Sequence, residues 1–105
     1  MSRVTDVILT TSLLEEPGDT GTYPAVEELN VWLRARRLGE LKEVSKAAAG
    51  TKVMQALVFM GAFNYLDLAE FVEAVKATPW RDSEGIAVFV KQEEEWRFTD
   101  VTPNS

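Results

Sequence analysis

The sequence predicts an α+β domain with the element order β-α-β-β-α-β, the ferredoxin-like order. Three observations carry that prediction. Two segments, opened by Pro24 and by Asp67, repeat apolar residues at helical spacing. Three other segments are rich in β-branched or aromatic residues, and a fourth, residues 41–45, alternates weakly as a short edge strand would. The chain has 105 residues, 46% of them hydrophobic and 27% charged, which suits one domain over residues 1–105 with a core of its own.

Val4–Thr11 reads as the first strand. Val7 and Leu9 share one face, and Val4 and Ile8 share the other. Apolar residues on both faces indicate a central strand. Residues 12–23 form a long loop, and Pro17-Gly18-Asp19-Thr20-Gly21 is dense in turn formers.

Pro24 opens the first helix at a position where its missing N–H costs nothing. Val26, Leu29 and Leu33 form its apolar stripe, and Trp32 widens it. Glu27 and Glu28 suit the positive end of the helix dipole, and Arg34, Arg36 and Arg37 the negative end. Gly39 is the expected left-handed stop.

Residues 41–45 alternate weakly and carry charge, the pattern of a short edge strand. Residues 47–50 suggest a turn or a brief helical turn. Residues 53–63 are apolar on both parities, and Val, Phe and the midpoint Gly61 favour an extended strand over a buried helix. Asp67 is placed to cap the second helix, with Glu70 three residues on as its capping-box partner. Leu68, Phe71, Val72 and Val75 repeat at i, i+3, i+4 and i+7. Pro79 disfavours helix at Thr78 and ends the run there.

Residues 81–85 form a polar turn, and residues 86–90 a last strand. Beyond it, either one strand runs to Val101 or a hairpin turns near Glu93-Glu94. Residues 102–105 are expected to fray.

This order builds a four-stranded sheet, antiparallel in its general pattern, with both helices on one face and room for an added C-terminal strand. The first and third strands are expected to be adjacent, central and parallel, so that their carboxyl ends meet. The loop bearing Thr11 and Ser12 would then face the loop bearing Asn64, Tyr65 and Asp67 in a crevice suited to a small molecule or anion.

The face without helices would be apolar. It would show either residues of the set Met54, Val58 and Met60 or residues of the set Leu57, Phe59 and Phe63, depending on register. A patch of that kind marks an interface. Burying roughly 600 Å² of it per subunit is worth about 15 kcal/mol gross, before association costs.

Composition narrows the function. The chain has no cysteine and no histidine, so thiolate catalysis, disulfides, a Ser-His-Asp triad and cysteine- or histidine-type metal sites are excluded. Along a strand the acidic run Glu93-Glu94-Glu95 would alternate direction and would converge on a metal only if the chain turned there; it reads as a solvated edge or hairpin tip. No Gly-rich phosphate loop is present. A formal charge of −6 and a pI near 4.6 disfavour nucleic-acid binding.

Residues 1–6 lack a signal peptide's apolar run, and no stretch reaches the ~18 apolar residues of a membrane helix. A cytoplasmic location is therefore expected. Of the three tryptophans, Trp96 sits beside the acidic run and is the best candidate for a partner contact.

These readings converge on a small acidic, non-catalytic binding or regulatory module. It acts as a homodimer through its open sheet face, needs no cofactor, and suits an immunity-type or inhibitor-type role against a protein partner. The alternative is a small-ligand binder or a cofactor-free enzyme of the dimeric α+β barrel type, which the element order resembles in architecture only.

Overall fold

The structure is a computed structural model that describes residues 3–103. The leader reading at Met1 and Ser2 and the frayed-tail reading at Asn104 and Ser105 lie outside the described residues. The fold is α+β, with two helices and a five-stranded antiparallel sheet. In chain order the elements are β1 (Val4–Thr11), α1 (Pro24–Ala35), β2 (Lys42–Glu43), β3 (Leu57–Asn64), α2 (Leu68–Ala77), β4 (Ala87–Gln92) and β5 (Thr99–Asp100). A single 3₁₀ turn, Ser83–Gly85, precedes β4.

The strands lie side by side in the order β2-β3-β1-β4-β5. The fourth strand is therefore not an edge, because β5 lies outside it. β1 is central, as its two apolar faces require, but it pairs antiparallel with β3. This corrects the parallel pairing expected from the sequence. The helical crossover joins β1 to β2 and makes those two strands co-directional, and β3 inserts between them in the opposite sense.

Every second residue of the central strands enters the core. Val7 and Leu9 of β1, Phe59 and Phe63 of β3, and Val88 and Val90 of β4 are buried with Val26, Leu29 and Leu33 of α1 and Phe71 and Val75 of α2. Both helices therefore cover the same face of the sheet. Gly61 belongs to this face. A Cβ there would stand 2.6 Å from the Phe63 ring, so the glycine leaves room for that ring.

Local chemistry sets the helix ends. Asp67 Oδ1 accepts a hydrogen bond from the Glu70 amide at 3.1 Å, as the cap predicts. The Glu70 carboxylate turns to Arg36 instead, at 3.9 Å. At the other end of α2, Thr78 donates to the Ala74 carbonyl at 2.7 Å, and the Trp80 indole N–H donates to the Val75 carbonyl at 2.8 Å. Trp80 thus closes the helix as well as the core.

The stop of α1 differs from the expectation. Arg37, not Gly39, takes the first left-handed position, with φ 58°. The Arg37 amide donates to the Arg34 carbonyl and the Leu38 amide to the Leu33 carbonyl, a Schellman pattern. Gly39 follows with φ 104° as a second left-handed residue in the same turn.

Two strand boundaries also differ from the expectation. β3 begins at Leu57 rather than residue 53, because Leu57 is paired with Thr11, where β1 ends. β2 is only two residues long. The backbone of Leu41 is diverted from the ladder by Asn30 of α1, whose side chain accepts from the Leu41 amide at 2.8 Å and donates to its carbonyl at 3.2 Å.

The chain after β4 forms a hairpin. The Glu95 amide bonds the Gln92 carbonyl at 2.9 Å, and β5 returns along β4. Thr102 is docked rather than frayed. Its hydroxyl accepts from the Val88 amide at 2.9 Å and donates to Asp100 at 2.5 Å.

Candidate functional site

The antiparallel pairing of β1 and β3 takes apart the crevice expected from the sequence. Val4 lies opposite Asn64 and Thr11 opposite Leu57. Thr11 and Ser12 thus stand at one end of the sheet, and Asn64, Tyr65 and Asp67 at the other. Seven residues of strand separate the two ends, roughly 23 Å at 3.3 Å per residue.

Each of these side chains or backbones has a structural role. Thr11 is buried and donates to the Ser12 carbonyl at 3.0 Å. The Ser12 hydroxyl accepts from the Leu14 amide at 3.2 Å. Asn64 ends β3. Tyr65 turns the chain with a left-handed φ of 56°, and its amide bonds the Arg3 carbonyl at 2.8 Å. Asp67 is the cap of α2.

What does meet the loop after β1 is the connection from α2 to β4. Glu15 is buried in that loop, and its carboxylate accepts from the Asp82 amide at 2.8 Å. Glu16 pairs with Arg81 at 3.2 Å. Among the described residues no buried side-chain polar atom lacks a hydrogen-bond partner. The start of the long loop is therefore tied to the connection from α2 to β4 through Glu15 and Glu16.

The interface candidates divide by parity. Phe59 is 3% exposed and meets the Tyr23 ring edge-on at 5.6 Å, so it belongs to the core and not to the open face. Met54 precedes β3 and lines an apolar depression of about 480 Å³ with Leu13, Val53 and Leu57. Val58 and Met60 do lie on the helix-free face, where Met60 is 41% exposed.

Register shows what surrounds them. Across the sheet, one row reads Lys42, Met60, Ile8, Phe89, Asp100. The neighbouring row reads Val58, Thr10, Ala87, and the row on the other side Ala62, Asp6, Lys91. The candidate site is this face: an apolar centre of Val58, Met60, Ile8 and Phe89, with charged residues around it.

Lys42 and Asp100 stand at opposite edges of the central row. Asp6 and Lys91 stand opposite each other on paired strands, a favourable cross-strand arrangement. The Thr102 hydroxyl and amide hold the Asp100 carboxyl below its ordinary range. Asp100 is therefore a fixed anion at that edge.

The sequence places Ile8 with Val4 on the face opposite Val7 and Leu9 but does not say which face the helices leave open, and Phe89 has no signal because residues 86–90 show no alternation by themselves. Trp96 is 97% exposed on the hairpin turn between β4 and β5, apart from the apolar centre.

Among the described residues no group of three or more acidic side chains could hold a metal ion. No helix among the described residues is long and apolar enough to cross a membrane. The Tyr23 phenol is pushed above its ordinary range by burial and then by the Glu43 carboxylate. Comparison with protein-family models, with curated proteins and with solved structures finds no match.

Proposed function

We propose that this protein is a small acidic, non-catalytic binding module that pairs as a homodimer through the helix-free face of its sheet. The single observation that carries this reading is the central row, in which Met60, Ile8 and Phe89 lie between a cation at one edge and an anion at the other. An apolar centre with a polar rim is the composition of a protein interface. In this reading the arrangement is the ferredoxin-like one extended by β5, and the face that its helices leave open is the associating face.

The charge order selects the geometry. A twofold axis running along the strands, between two stacked sheets, reverses the row in the second copy. Lys42 of each copy then meets the partner's Asp100, while the apolar residues of the two rows stack on one another. An axis across the strands would set like charges together, which is unfavourable. Proteins with a stable, acidic and catalytically inert scaffold of this kind suit an immunity-type or inhibitor-type role, in which the dimer offers its acidic surface to a basic target.

The test is mass in solution. Light scattering at high micromolar concentration is expected to give twice the 11.7 kDa of one chain. Ile8→Lys should give a folded monomer. Lys42→Glu should weaken pairing about tenfold, equivalent to about 1.4 kcal/mol, with most of the loss at low salt. A monomeric wild type at that concentration, or an Ile8→Lys variant that still pairs, overturns the proposal.

A further inference from the structure

The sheet face does not use the other side of the molecule, where α1 and α2 lie side by side. Between them runs an open groove of about 670 Å³. α1 contributes Glu28, Leu29, Trp32 and Arg36, and α2 contributes Ala69, Glu70, Glu73, Ala74, Ala77 and Thr78. On each helix these residues fall on one stripe, so the groove follows both axes for two turns, about 12 Å. Its cause is local: α2 presents three alanines where a longer side chain would have filled the gap.

The floor of the groove is apolar and the rim is anionic. Trp32 is held between the core and the surface, with its ring 6.1 Å from that of Phe71. Arg36 is the one cation among the lining residues, and it is already engaged. Its guanidinium stacks on Trp32 at 3.8 Å, donates to the Trp32 carbonyl at 3.3 Å and lies 3.9 Å from Glu70. Glu28 and Glu73 have no ion pair among the described residues. The rim therefore has two carboxylates in excess, on a chain with net charge −6.

We infer that this groove docks a cationic, apolar-faced helical segment of a partner protein. A short helix laid along it would place one or two apolar side chains over Ala74 and Trp32, and lysines or arginines against Glu28 and Glu73. That is the helix-in-groove mode, with charge setting the choice of partner. A neutral or acidic segment would leave the same carboxylates near apolar surface without counter-charge. The inference extends the binding-module reading to a target class, and it stands on residues separate from the dimer face.

The test titrates the full, ¹⁵N-labelled chain with a 14-residue leucine-lysine amphipathic peptide, and with its leucine-glutamate counterpart as control. The expected result is saturable shifts of the Trp32 indole N–H and the Ala74 and Ala77 amides with the cationic peptide only. Ala74→Trp, which fills the groove, and the double variant Glu28→Lys, Glu73→Lys should each weaken binding at least tenfold. Ile8→Lys should bind as the wild type does, so that failure of the dimer and failure of the groove are told apart. Three results overturn the inference: no shifts at millimolar peptide, equal binding of the acidic peptide, or shifts centred on Ile8, Met60 and Phe89.

Discussion

Along β1, Val7 and Leu9 are sealed beneath two helices, while Ile8, between them, stays partly open to water. The same holds on β3, where Phe59 and Phe63 are buried and Met60 is not. The two faces of this sheet thus differ little in residue type at their centres and greatly in environment. Residue type reports what a face tolerates, and the covering layer decides what that face contributes to folding. On the covered side each side chain contributes to the stability of one chain. On the open side the same apolar area is available for association.

The sharpest way to break this comparison is to truncate one residue on each side. Replacing Phe71, which α2 buries fully on the covered side of the sheet, by alanine should cost about 3–5 kcal/mol, through lost burial and the cavity left beside Trp32. Ile8→Ala should cost a dilute monomer less than about 1 kcal/mol, because its side chain is only partly withdrawn from water. Urea denaturation at low micromolar concentration measures both. Equal losses would mean that the open face is as much part of the fold as the covered one.

Asn30 comes next in size. It is the buried polar side chain that binds α1 to the start of β2. Asn30→Ala leaves the amide and carbonyl of Leu41 unpaired in a buried position and should cost about 2 kcal/mol. Faster amide exchange at Leu41 and Lys42, measured by NMR, would locate the loss at the edge strand. A variant with wild-type stability would show that β2 is held by the ladder alone.

The smallest effect has the opposite sign. Arg37 adopts a left-handed conformation that disfavours a side chain bearing Cβ. Arg37→Gly should raise stability by about 0.5–1 kcal/mol, seen as a higher denaturation midpoint with an unchanged slope. It lies at the end of α1, far from the open face, so pairing should not change.

Particular residues show how far the sequence could be read. β1 is legible to its ends because β-branched residues dominate it from Val4 to Thr11. α2 was legible because Asp67, the i, i+4 stripe and Pro79 all act within a few residues of one another. The composition of residues 53–63 points to a strand start four residues before the observed one at Leu57, because that start is fixed by where β1 runs out. Gly39 looked like the stop of α1, but the helix had already ended two residues earlier, at Arg37. Of the candidate residues, Val58 and Met60 lie on the open face and Phe59 does not, since the parity that faces the helices is set by packing.

The amino-acid order alone determined the two helices, the first four strands in their order, the Asp67 cap, the acidic balance and the absence of thiol and imidazole side chains. Those depend on residue identity or on neighbours within one helical turn. Tertiary structure decided which way β3 runs, which loops share an end of the sheet and which alternate residues face water. A strand's period of two is the same read in either direction, so strand direction leaves no local trace and emerges only when the chain closes on itself.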